Sequence, residues 1–365
     1  MTKIKDIIQY LETIAPPAYQ EGYDNARLIT GSMQMEVSNV LITLDVTEDV
    51  VEEAISKSCN LIIAHHPIVF KGLKSLTGNN YVERTVIKAL KNDVAIYAIH
   101  TNLDNVFNGV NKKICDKIGL RNTRVLLPKT QILSKLVTFI PRKDTAKVLD
   151  ALHAAGAGNI GNYSHCSFKT EGIGTFRPNE DANPHIGSVH TQEMVEEDRV
   201  EMILPSYLEN AVVAALHQAH PYEEVAYFIS TLNNANQQVG SGMIGELAEA
   251  MEPFEFLKHL KDSMDLNCIR HTKLLDKKVK KVAVCGGSGS FLLSKAKSKK
   301  ADVYITGDFK YHEFFDAEDS LIIADIGHYE SEVFTKELIH DILSKKFTTF
   351  ALNLSETVTN PISYL

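Results

Sequence analysis

Apolar positions recur along this chain with two periods, and the switching between them predicts the elements. Ile4, Ile7, Ile8 and Leu11 lie three or four apart, the spacing of a helix over 4–14. Asn39-Val-Leu-Ile-Thr-Leu-Asp45 is a short apolar run closing on a polar residue, and it reads as a buried strand. Thr47 then caps a helix with Val51, Ala54 and Ile55 on its inner face. Further strands are predicted at 61–64 and 94–99, and further helices at 81–90 and 108–118. Strands alternating with helices of about ten residues imply βαβ units and a parallel sheet. The end of the chain repeats this rhythm. Pro253 opens a helix, Lys281-Val-Ala-Val-Cys285 runs into Gly286-Gly-Ser-Gly289, and strands follow at 302–306 and 321–324 before a helix over 330–343.

The middle of the chain has another order. Strands are predicted at 135–140, 163–169, 200–204 and 225–230, with helices at 145–155 and 208–219. This β-α-β-β-α-β succession is the ferredoxin-like pattern. Asn179-Glu-Asp-Ala-Asn-Pro184 is a polar turn or long loop inside it. The expected organisation is one α/β domain, residues 1–127 and 236–365, interrupted by an α+β domain at 128–235.

Composition narrows the class. At 365 residues the chain has the length of two domains. Its 46 acidic and 38 basic side chains leave a formal net charge of −8, which argues against nucleic-acid binding through bulk positive charge. No apolar run approaches the ~18 residues of a membrane span. The first residues lack the apolar stretch of a signal peptide. Five scattered cysteines without a C-x-x-C pair point to a reduced, cytoplasmic chain with no disulfide framework and no cysteine zinc site.

Candidate chemistry gathers at three strand ends. His65-His66-Pro67 follows one strand. Adjacent histidines on extended backbone point opposite ways, so they suit two ions about 3.5–4 Å apart better than one. His100-Thr-Asn-Leu-Asp104 follows a second strand, and Asp325-Ile-Gly-His328-Tyr-Glu-Ser-Glu332 a third. A helix starting near His328 places Glu332 on the same face, four residues on. Each element alone has an ordinary explanation: solvated loop histidines, a carboxylate that caps a turn, a polar helix face. Together they sit where open α/β sheets bind ligands, at the carboxyl ends of strands. Imidazole and carboxylate without thiolate suit zinc, manganese, iron, cobalt or nickel, zinc first. His100, Asp325 and His312 are candidates for orienting ligands or moving protons, Glu330 for a solvated helix position. Gly286–Gly289 could cradle a phosphate or make a tight turn. His165 and His220 could bind metal or be solvated.

These motifs resemble the signatures of the NIF3-like family (DUF34), often labelled GTP cyclohydrolase 1 type 2 homologs. Leu61-Ile-Ile-Ala-His-His-Pro67, the His100 and Asp325 stretches, Tyr23-Asp-Asn25, Cys285-Gly-Gly-Ser-Gly289, Thr306-Gly-Asp308, Tyr311-His312 and Asn360-Pro-Ile-Ser-Tyr-Leu365 carry the resemblance. It covers essentially the whole chain; the family's usual Glu-Ser-Trp-Asp-Asn reads Glu21-Gly-Tyr-Asp-Asn25 here. The resemblance implies a toroidal homohexamer with two divalent ions per subunit, held by His65, His66, Asp104, His328 and Glu332. Gly172-Ile-Gly-Thr-Phe-Arg-Pro178, Ala182-Asn-Pro184 and His220-Pro-Tyr-Glu-Glu-Val-Ala-Tyr227 look like the PII/CutA-like insertion of the longer members, a cap over the hexamer openings or a small-ligand sensor. The expected function is a metal-dependent hydrolase, cyclohydrolase- or phosphoesterase-like, acting on a small nucleotide-like or phosphorylated molecule. The alternative is a non-enzymatic metal-binding or partner-binding cage with a regulatory lid.

Overall fold

In the computed structural model, which describes residues 1–365, the chain divides into two compact units, Met1–Leu127 with Val239–Leu365, and Pro128–Gln238. The strands before the second unit are β1 (Leu28–Thr30), β2 (Val40–Thr43), β3 (Leu61–Ala64), β4 (Ala95–Ala98) and β5 (Arg121–Lys129). Those of the second unit are β6 (Leu133–Pro141), β7 (Phe168–Phe176), β8 (Glu193–Pro205) and β9 (Tyr227–Leu232). After it come β10 (Asn236–Met251), β11 (Arg270–His271), β12 (Val279–Ser288), β13 (Val303–Gly307), β14 (Ile322–Asp325) and β15 (Leu352–Leu354).

In the first unit, alternate side chains of each buried strand enter different cores, as a period of two requires. Val40, Ile42, Leu61, Ile63, Ala95 and Tyr97 face one core, whereas Leu41, Ile62, Ala64 and Ile96 face another. The second sheet does the same: Val282, Val284, Val303, Ile305 and Ile322 enter the first core, and Ala283, Tyr304 and Ile323 enter a third. The shared core also takes the apolar stripes of the helices Ile4–Ile14, Val110–Lys117, Pro253–Ser263 and Thr335–Ser344. Two sheets therefore cover one helical layer, each with further packing on its far face. Each fully buried Leu, Ile or Val contributes roughly 1.5–3 kcal/mol by leaving water.

Where the pattern predicts a parallel sheet, the structure has two mixed ones. The first, ordered β1-β4-β3-β2-β15, is parallel except where β1 pairs with β4. The second, ordered β11-β14-β13-β12-β10-β5, is parallel at its centre, with β10 antiparallel to β12 and β11 antiparallel to β14. The sequence pattern misses β10 because Gly240, Gly242 and Gly245 interrupt it with a residue poorly suited to strands.

The second unit forms one four-stranded antiparallel sheet, ordered β7-β8-β6-β9. With the helices Thr145–Ala154 and Glu209–Ala219, its succession is the β-α-β-β-α-β of the ferredoxin-like pattern. Two strands differ from expectation. β7 begins at Phe168 rather than near Tyr163, because its mostly exposed face and Gly172 and Gly174 hide it from an apolar pattern. β8 extends back to Glu193 through a charged stretch that gives no burial signal.

The end of the chain is fastened to the helix Glu48–Ser56 through one carboxylate. Glu53 Oε1 accepts from Lys57 Nζ and the Glu356 amide, both at 2.8 Å. Its Oε2 accepts from Ser355 Oγ (2.6 Å), and from the Thr357 amide (3.2 Å) and Oγ1 (2.7 Å). Burial alone would raise the carboxyl pKa, but these donors hold it down at about 2. Glu53→Ala is expected to lower stability by about 2 kcal/mol, because it strands several donors at once. A depressed pKa stabilises above the unfolded value of 4.5 and loses that contribution as pH falls toward about 2. Thermal melts across pH should therefore show the gap between wild type and Glu53→Ala closing below 4.5. A gap that stays constant with pH would contradict the assignment.

Candidate metal centre

The loops leaving β2, β3, β4, β13 and β14 at their carboxyl ends converge within the first unit. His65 and His66 continue β3, their amides bonding to Thr43 O (3.2 Å) and Leu44 O (2.9 Å) of the neighbouring chain segment. Asp45 leaves β2, His100 follows β4, and Asp104 lies on the short helix Thr101–Asn105. Asp308 follows β13. His328 and Glu332 begin and end the helix His328–Glu332, entered through Gly327 at φ +92°.

Four imidazoles share one arrangement. Each Nδ1 is held by an oxygen: His65 by Ile99 O (2.9 Å), His66 by Asp45 Oδ1 (2.7 Å), His100 by Asp24 Oδ1 (2.9 Å), His328 by Asp308 Oδ2 (2.7 Å). At His65 the acceptor is a carbonyl, so Nδ1 carries a proton and Nε2 is the nitrogen left to face the cluster. Orienting metal-binding histidines through the other ring nitrogen is the usual device for such sites.

The inner nitrogens meet two carboxylates. Glu332 Oε2 is 2.9 Å from His66 Nε2 and 3.1 Å from His328 Nε2, while its Oε1 lies 3.9 Å from His65 Nε2. Asp104 Oδ1 stands 3.4 Å from the same His65 nitrogen. His65 Nε2 and Asp104 Oδ1 are both buried and have no hydrogen-bond partner. A buried polar atom left so is costly unless something else satisfies it. The ligand atoms of His65, Asp104 and Glu332 lie within 4.8 Å of one another, as do those of His66, His328 and Glu332 and of His65, His66 and His100. The donor set therefore fits a metal ion. All five residues expected as ligands come together, with Glu332 shared between two of the groups.

The electrostatics ask for positive charge. Burial and then the charge on Glu332 push Asp104 up to about 7. Burial opposes a charge on His66, but Asp45 and Glu332 outweigh it and raise the ring to about 10. The same competition, with Glu332 and Asp308, raises His328 to about 9. Burial would raise Glu332, yet the three histidines hold it well below the usual carboxylate range. Protons can supply that positive charge, and a divalent cation can replace them. Cys285 is poorly suited to be a ligand. Burial, then Asp104 and Glu332, raise its thiol far above the ordinary range, and Sγ lies 3.4 Å from Gly286 O.

The cluster has a sealed back and an open front. His65 is fully buried and the Glu332 side chain is 3% exposed, whereas Asp104 is 24% and His328 37% exposed. Gly287 forms part of the back: at φ +64°, a Cβ there would stand 2.5 Å from Glu332 Oε1.

Other sequence candidates fall outside. Asp325 shapes the loops, accepting from the Phe309 and Gly327 amides (both 3.0 Å) and pairing with Arg270. His312 packs on Tyr311 and Phe315. Glu330 accepts from Asn360 Nδ2 (2.9 Å) rather than being merely solvated. The Gly286 and Gly287 amides already bond to Asn111 Oδ1 (3.0 Å) and Ser331 Oγ (2.9 Å), so in the glycine stretch, which ends β12, those two donors are occupied. His220 is buried, with Nε2 on Phe139 O (2.9 Å) and Nδ1 accepting from the Tyr222 amide (3.1 Å). His165 is exposed and lies beside His153. Asp24, Asp45, Asp308 and Thr359 are neighbours of the cluster to which sequence reasoning assigned no role, although Asp24 and Asp308 lie in motifs that carry the family resemblance. Thr359 Oγ1 donates to Asp45 Oδ2 at 2.6 Å, so the end of the chain reaches the centre. A strand-end position was a usable signal for Asp45 and Asp308; Thr359 offered none.

Comparison with known proteins finds relatives along the whole chain. A family model described as Duf34/NIF3 (NGG1p interacting factor 3) matches residues 2–361. A Bacillus subtilis protein called GTP cyclohydrolase 1 type 2 homolog is 42% identical, covering 99% of this chain and 98% of its own. The crystal structure of a Bacillus cereus protein related to NIF3 superposes with a TM-score of 0.87 at 40% identity, over 100% of this chain and 99% of that one. A Staphylococcus aureus protein of known structure gives 0.80 at 29% identity, over 100% and 99%. No helix is long and apolar enough to cross a membrane.

Proposed function

The chain belongs to the Duf34/NIF3 family, and from that premise we propose a hydrolase with a dinuclear metal centre, acting on a small nucleotide-like or phosphorylated molecule. His65, Asp104 and Glu332 would hold one divalent ion, and His66, His328 and Glu332 the other. The observation that carries this reading is the set of imidazoles turned inward by their Nδ1 acceptors, with His65 Nε2 and Asp104 Oδ1 buried and unpartnered. When bound, such a pair of ions supplies Lewis acidity and activates water at neutral pH.

The remaining chemistry falls to the chain's own side chains. Asp24 accepts from Thr101 N (3.1 Å) and Oγ1 (2.5 Å) and holds His100 Nδ1. Burial opposes its charge, but His100 and Thr101 hold it at about 2, so it stays ionised. An imidazole fixed by a carboxylate is suited to moving a proton from its free Nε2. Phe70, 53% exposed, packs 5.8 Å from the His100 ring, and exposed Tyr23 lies within reach of the Asp104 charge. Both offer faces on which a flat base could stack. Zinc is the first choice for the ions, with manganese, iron, cobalt and nickel compatible. A homohexamer in the cytoplasm, capped by a PII/CutA-like insertion, completes the reading.

The test is turnover. Zinc- or manganese-loaded protein is expected to hydrolyse at least one member of a panel of nucleotides and phosphomonoesters. His100→Gln should keep its metal and lose about 100-fold in kcat, the size expected for a lost proton carrier. No turnover across the panel, or equal turnover by His65→Ala and Asp104→Ala proteins, would overturn the hydrolase.

A further inference from the structure

The motifs of the second unit that the metal centre leaves unused converge on one cavity. Residues of Gly172-Ile-Gly-Thr-Phe-Arg-Pro178, of Ala182-Asn-Pro184 and of Pro221-Tyr-Glu-Glu224 line a space of about 940 Å³, every wall of it within this unit. That volume is in the range of small-molecule sites, at its upper end.

A carboxylate is built into its wall. Glu197 is 7% exposed, and its Oε1 accepts from Tyr222 Oη at 2.9 Å. Its Oε2 takes no hydrogen bond from the protein and is left to the cavity. Gly174 on the neighbouring strand makes room for it, since any Cβ at that position would collide with Oε2. A carboxylate oxygen set this deep in a wall gains from a donor that reaches it through the cavity.

The surroundings select the kind of donor. Asp181, Glu223 and Glu224, and Glu171 paired with Arg142 (3.1 Å), join Glu197 in the lining, against two guanidiniums. Both of those are already engaged, Arg177 Nε with His190 O (2.8 Å) and Arg199 with Glu201 (2.7 Å). The excess of carboxylates draws cations and repels anions. Phe176 and Tyr222 stand edge to face, 5.8 Å apart, and give the cavity an aromatic wall. Aromatic faces next to carboxylates favour flat cationic ligands.

We propose that this cavity binds a small, flat organic cation, an aryl amine or amidine, with its N–H donors on Glu197 and its ring against Phe176 and Tyr222. The site is separate from the metal centre and does not rest on the hydrolase reading.

Benzamidine, neutral benzamide and anionic benzoate separate the charge from the ring. In calorimetric titration of the full chain, benzamidine should bind saturably at one site. Benzamide should bind at least about tenfold more weakly, as a lost charge-assisted hydrogen bond implies, and benzoate should not bind. Glu197→Gln should cost benzamidine about tenfold or more and leave benzamide unchanged. Phe176→Ala, which alters the wall and spares the carboxylate, should weaken both, and it serves as the independent check if Glu197→Gln does not fold. Unchanged metal content in either variant keeps the result apart from the metal centre. Absent benzamidine binding, equal binding of benzoate, or affinity indifferent to both substitutions would overturn the proposal.

Discussion

Glu332→Gln is expected to strip the centre of divalent metal and to destabilise the fold. Both carboxylate oxygens are committed, Oε2 to His66 and His328 and Oε1 toward His65. An amide keeps the volume but removes the charge, and it turns N–H donors toward nitrogens that must offer lone pairs. Metal affinity should fall by more than the about 10–100-fold that loss of an outlying partner costs, because this residue belongs to two of the ligand groups. The metal-free protein also suffers. His66 and His328 are held in their charged forms chiefly by Glu332 and their Nδ1 carboxylates. Breaking a buried ion pair from one side costs about 3–5 kcal/mol. Metal-to-protein ratios after exhaustive dialysis, with melting temperatures of metal-free samples, check both effects. A variant that keeps wild-type metal content would remove Glu332 from the centre.

Asp45→Ala is expected to weaken metal binding by about 10–100-fold without touching a ligand atom. Asp45 Oδ1 fixes His66 Nδ1, and its other oxygen accepts from Thr359, so removing it frees the ring to turn. Thr359→Val should reproduce a small part of the loss. Since Thr359 acts through Asp45, the double variant should bind no worse than Asp45→Ala alone. Competition against a chromophoric chelator measures all three. Additive losses would show that the end of the chain acts on the centre by another route.

The contrast between Asp45 and His65 marks how much was legible in the sequence. The helices and the central strands follow from short apolar runs, because a strand buried on both faces must be apolar throughout. The five inner side chains were legible because each sits within a few residues of such a strand end. Their partners were not. Asp24 and Thr359 reach the centre from segments without regular pattern, and only the folded chain brings Asp24 to His100, 76 residues away in sequence. The same limit applies to β10 and β7, where glycine is needed for close approach and erases the strand signal. His220 has the opposite problem: its position after a helix suggests a solvated ring, and burial is conferred by Phe139 O and the Tyr222 amide.

The central claim is that the inward-facing imidazoles and Glu332 hold metal. Anomalous diffraction from crystals of the full chain, recorded on both sides of the metal absorption edges, tests it most directly. Two peaks are predicted per chain, one near His65, Asp104 and Glu332 and one near His66, His328 and Glu332, at about 2.0–2.2 Å from their nitrogen and oxygen atoms. A metal-supplemented crystal with no peak beside Glu332 would contradict it.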